Sequence, residues 1–128
     1  MTPKGLGEEG DLPFVVERAD LEGRRCRLIL RGELDLAAVP LVQHAVDRAC
    51  RESKDQVSLD AAKVTFIDSA GLMVLLNARE QLTEADGTFR VTAASQPVTR
   101  ILEIAMLADE LLDAPGVEHP NGAFPPLA

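Results

Sequence analysis

A chain of 128 residues with 46% hydrophobic side chains can bury one core and is too short for two ordinary domains. Its formal net charge of −8 repels phosphate backbones and anionic bilayers, so neither a direct nucleic-acid partner nor a membrane partner is expected. Aromatic residues make up only 3%, with no Trp or Tyr, which leaves few platforms for base stacking and a core built from Val, Leu, Ile and Ala.

Residues 1–12 are rich in Gly and acidic side chains and read as a flexible leader. They lack the apolar run of a signal peptide, and no stretch approaches the ~20 apolar residues of a spanning helix, so a soluble, cytoplasmic protein is expected. Cys26 and Cys50 form neither a paired framework nor a CxxC clamp and read as reduced thiols.

Order is expected from Pro13. Phe14 to Arg18 reads as a first strand and Asp20 to Gly23 as a turn. From Arg24 to Arg31 apolar residues alternate, with Cys26, Leu28 and Leu30 on one face, which completes an antiparallel hairpin. Pro40 suits a first helical turn; the helix it opens carries a core stripe of Ala38, Leu41, Val42, Ala45 and Ala49, with His44, Arg48 and Arg51 outward. Gln56 to Asp60 is the third strand, and Ala61 to Ile67 is read as a passage across the sheet edge.

A second helix starts at Asp68 and Ser69, both preferred cap residues, and buries a stripe of Gly71, Val74, Leu75, Ala78, Leu82 and Ala85. Met73 and Leu76 fall on its opposite, exposed face. Asp86 and Gly87 stop it. Phe89, Val91 and Ala93 alternate in a fourth strand; Ser95 and Pro97 open a third helix bearing Val98, Ile101, Leu102 and Ala105; Leu111 and Leu112 suggest a short closing strand. Residues 114–128, with four prolines, read as a flexible tail. The order β, β, α, β, α, β, α implies a small mixed sheet of four to five strands with helices packed on it, and function at the carboxyl ends of its parallel strands, where Asp68 and Ser69 fall.

Three segments in this layout resemble the STAS domains, in particular the anti-sigma factor antagonists of bacterial partner switching. Gly32 to Pro40 (GELDLAAVP) is similar to the family's passage into the first helix, Ile67 to Leu72 (IDSAGL) to its phosphorylation segment, and Pro97 to Glu103 (PVTRILE) to a third motif. The resemblance covers residues 13–113. It implies the STAS fold and a protein that is not an enzyme and needs no cofactor. The unphosphorylated form would bind an anti-sigma factor, a serine kinase of the GHKL type, and free a sigma factor. Phosphorylation of Ser69 would block binding, and a PP2C-type phosphatase would restore it. On this reading Ser69 both caps the helix and accepts phosphate, and Asp35, Asp68, Ser69, Gly71, Leu72, Met73 and Leu76 form the partner surface. Ala70 stands where many relatives carry a second hydroxyl, so Ser69 alone can be the acceptor here.

An esterase reading of Ser69 fails on the sequence: there is no G-x-S-x-G elbow, His44 is expected on an exposed helix face, and His119 lies in the tail. No loop has Walker spacing. Within the family the alternative is an adaptor or scaffold subunit of a stress-sensing or lipid-transport complex, the scaffold role being weakened by the single-domain length.

Overall fold

The computed structural model describes residues 14–112, so the expected leader (1–12) and tail (114–128) lie outside the described residues. The chain runs β1 (Val15–Asp20), β2 (Arg25–Leu34), α1 (Val39–Arg51), β3 (Gln56–Ile67), α2 (Ser69–Glu84), β4 (Thr88–Ala94), α3 (Gln96–Ile104) and α4 (Ala108–Leu111). The four strands lie in the order β1-β2-β3-β4; β1 is antiparallel to β2, and β2, β3 and β4 are mutually parallel. This is the mixed α/β sheet that the element order implied.

The register explains why an aliphatic composition suffices. Cys26, Val57 and Phe89 are cross-strand neighbours, as are Leu28, Leu59 and Val91, so two rows of buried side chains cross the sheet on one face. Val42, Val46 and Ala49 of α1, Val74, Leu75, Ala78 and Leu82 of α2, and Val98 and Leu102 of α3 complete one core with them. Each fully buried Leu or Val in it contributes roughly 1.5–3 kcal/mol of transfer free energy.

Four sequence expectations change. Ala61 to Ile67 does not cross the edge but continues β3, staying in register with β2 as far as Leu34 opposite Ile67 through two irregularities. The buried stripe of α1 runs through Val42, Val46 and Ala49, at steps of four and three, and leaves Leu41 beside it and 50% exposed. Ala85 and Ala105 are exposed because each is the C-cap of its helix. The expected strand at Leu111 and Leu112 is instead the short α4 followed by one parallel bridge from Leu112 to Val91.

Candidate functional site

Because Leu34 and Ile67 are register partners on adjacent parallel strands, the residues that follow them, Asp35 and Asp68, leave the sheet side by side. Their backbones match: Asp35 has φ −116° and ψ −170°, Asp68 φ −115° and ψ −171°. Each carboxylate accepts a hydrogen bond from the amide three residues on, Asp35 from Ala38 at 3.2 Å and Asp68 from Gly71 at 2.9 Å. Asp35 thereby caps a 3-10 turn over Leu36–Ala38 that leads into α1, and Asp68 caps α2. The Asp68 amide donates to the Leu34 carbonyl at 3.4 Å, which ties the two strand ends together.

The capping role that sequence reasoning shared between Asp68 and Ser69 therefore falls to Asp68 alone. Ser69 is the first helical residue, exposed, and its hydroxyl makes no hydrogen bond among the described residues. The first-turn amides of Ser69 and Ala70 have no intrahelical acceptor, so the helix dipole and these donors favour negative charge beside the hydroxyl.

Gly71 and Leu72 are more covered than a partner surface would require. Gly71 is buried, and a side-chain carbon on it would overlap the Leu34 carbonyl oxygen and come within 2.9 Å of the Ile67 and Leu34 side chains. Leu72 is half-buried against the core. Both belong to the packing that seats α2 on the strand ends.

Met73 lies one turn beyond Ser69 on the same side of α2 and is 51% exposed. Leu76, expected to be exposed with it, is half-buried and packed against the core. At 100° per residue Leu76 lies on the side of α2 that carries half-buried Leu72 and Arg79, the latter paired with Glu110 of α4 at 3.0 Å.

Polar groups join the two helices. Gln43 and Gln81 each donate to the Asp47 carboxylate at 2.9 Å, and Gln43 also donates to Gln81 at 3.0 Å. The hydrogen bonds from Gln81 and then Gln43 hold the Asp47 carboxyl below its ordinary pKa.

Two further apolar residues were missed from sequence. Leu36, 72% exposed, is on the turn capped by Asp35, and Phe66, 47% exposed, is two residues before Asp68 and opposite Glu33. Alternation along β3 was the available signal for Phe66, since it must face away from buried Ile67; reading the stretch as a passage hid it. His44 is exposed on α1, His119 lies outside the described residues, and no cluster of three metal-ligating side chains occurs among the described residues.

A family model described as Mlab, STAS domain matches residues 17–113. The chain belongs to the STAS domain family. Among similar STAS proteins is an anti-sigma F factor antagonist of Paenibacillus polymyxa, 31% identical over 91 residues, which are 69% of this chain and 78% of that protein. The fold matches that of an anti-sigma factor antagonist from Mycobacterium paratuberculosis (TM-score 0.67, 24% identity, 84% of this chain and 89% of that one). It also matches the unphosphorylated anti-sigma factor antagonist SpoIIAA (TM-score 0.65, 22% identity, 81% and 90%). The phosphorylated form of this Bacillus cell fate determinant superposes with a TM-score of 0.61 at 21% identity, over 81% and 93%. No helix among the described residues is long and apolar enough to cross a membrane.

Proposed function

We propose that this STAS domain is an anti-sigma factor antagonist acting in the cytoplasm as a binding protein rather than an enzyme. Unphosphorylated, it binds an anti-sigma factor of the GHKL serine kinase type and frees a sigma factor; phosphorylation of Ser69 blocks binding, and a PP2C-type phosphatase restores it. The observation that carries the reading is the exposed, uncommitted Ser69 hydroxyl at the start of α2, with the cap supplied by Asp68. A residue needed for capping could not be modified without cost to the helix; this one can.

Phosphate on Ser69 adds roughly −1.5 to −2 charges at a helix N-terminus, where free amides and the dipole favour it, so the fold survives modification. The penalty falls on the interface. A hydrated dianion beside Asp68 would have to be desolvated against the partner, and an interfacial cost of about 3 kcal/mol weakens binding more than a hundredfold.

The docking surface proposed here is Ser69 and Met73 with the two strand-end carboxylates, Asp35 and Asp68, at its rim. Leu76 contributes its exposed edge, and Gly71 and Leu72 act from beneath by seating the helix. Affinity purification from the native cell followed by intact-mass analysis tests the reading. It predicts recovery of a GHKL-type kinase and a single phosphate that is lost in Ser69→Ala; recovery of transporter subunits without a kinase would favour the adaptor role instead.

A further inference from the structure

The outer edge of β1 is unpaired among the described residues, and a groove runs between that strand and α1. Phe14, Val16, Leu41 and Ala45 line its apolar part. Its other end is closed by ion pairs, Arg18 to Asp20 at 2.8 Å and to Glu52 at 2.7 Å, with Arg48 to Glu52 at 3.2 Å. Leu41, placed by sequence in the core, stands half exposed at this groove.

We propose that the β1 edge and this groove form a self-association surface occupied by β1 of a second copy, in an antiparallel two-fold pairing centred on Val16. An isologous contact of this kind closes on itself and buries both edges at once.

The charges on β1 select the register. In a two-fold antiparallel pair, opposite residues share a face of the sheet, so the axis must pass through a residue and its own copy. Centring on Glu17 or Arg18 sets like charges directly opposite each other, which is destabilising. An axis at Ala19 leaves Phe14, Val15 and Val16 uncovered. An axis at Val15 pairs only Val15 with Val15 within β1, against Val15 to Glu17 for an axis at Val16.

Centring on Val16 avoids all three faults. Val16 meets Val16, Val15 meets Glu17, and Phe14 meets Arg18. Val16 and Arg18 lie opposite buried Leu30 and Leu28, hence on the groove side. There the guanidinium, already fixed by Asp20 and Glu52, can stack on the Phe14 ring of the second copy. Glu17 and Arg18 thus guard the edge against arbitrary strands while admitting one partner, this chain itself. Ser69 is not among the residues lining the groove.

Sedimentation velocity on the full chain from about 10 µM to about 1 mM, the range suited to an interface below standard size, tests the proposal. The unmodified protein should shift from monomer toward dimer. Val16→Lys and, separately, Leu41→Lys should each raise the dissociation constant at least about tenfold. Circular dichroism checks that each variant is folded, and Leu41→Lys, at an exposed position, carries the test if Val16→Lys unfolds. A protein that stays monomeric throughout, or a dimer that either folded variant leaves intact, overturns it.

Discussion

The carbonyl oxygen of Leu34 occupies the space that a side-chain carbon on Gly71 would need. The glycine therefore lets α2 begin against the end of β2, the strand beside the β3 from which the chain enters the helix. This contact sets where Ser69 sits. Gly71→Ala must push the helix start away from Leu34 and Ile67, since backbone cannot yield as a flexible side chain would. A loss of about 1–3 kcal/mol is expected in urea unfolding. An unchanged midpoint would mean that α2 is free to shift.

Asp68 and Ser69 have separable duties, which gives a graded test. Asp68→Ala removes the acceptor for the Gly71 amide and should cost about 1 kcal/mol, whereas Asp68→Ser keeps a capping oxygen and should cost only a few tenths. Ser69→Ala should leave stability nearly unchanged. If Ser69→Ala destabilised as much as Asp68→Ala, the division of labour between the two residues would be wrong.

Met73 and Leu76 differ in burial, and their lysine variants should differ accordingly. Met73→Lys, at a half-exposed site, should keep the unfolding midpoint and lose partner affinity. Leu76→Lys places a charge where the side chain packs on the core and should lower stability by more than about 1 kcal/mol. Thermal melts run beside a binding titration separate the two effects.

Asp47 gives a pH dependence. Its folded-state pKa is depressed by the amides of Gln81 and Gln43, so its contribution is present above the unfolded-state value, near 3.9, and is lost as pH falls through the folded-state pKa. Asp47→Asn should therefore melt below the unmodified protein at pH 7, and the gap should close in acid, below about pH 4. A gap independent of pH would rule out the ionised carboxylate as its source.

The periodic parts of this fold were legible in the sequence. Alternation located β2 and β4, and the stripe Gly71, Val74, Leu75, Ala78 and Leu82 located the buried side of α2. The stop of α2 at Asp86 and Gly87 was legible too, although the left-handed positions after the helices carry Ser53, Asp86 and Met106 rather than glycine. At α2, Asp86 takes φ +61°, its amide donates to Thr83 and that of Gly87 to Leu82 at 2.7 Å; Gly87 is needed instead where the chain approaches the Asp55 carbonyl. Residues whose place depends on a third element were misread. Leu76 is half-buried against the core, and Leu41 is left at the groove beside β1, and neither relation is local in sequence.

At the site, the motif marked Asp35, Asp68 and Ser69, but only the register of Leu34 with Ile67 sets Asp35 and Asp68 side by side. The same register brings Leu36 and Phe66 to that end of the sheet. Neither was suspected, since one lies on a 3-10 turn and the other on an irregular strand end.

The switch proposed at Ser69 acts on binding and leaves the fold intact. It is tested most directly by titrating the copurified anti-sigma factor against the unmodified protein and against the same protein phosphorylated on Ser69. At least about a hundredfold loss of affinity is expected on phosphorylation, with unfolding midpoints that coincide. Equal affinities for the two forms, or a loss of affinity accompanied by loss of the fold, would contradict it.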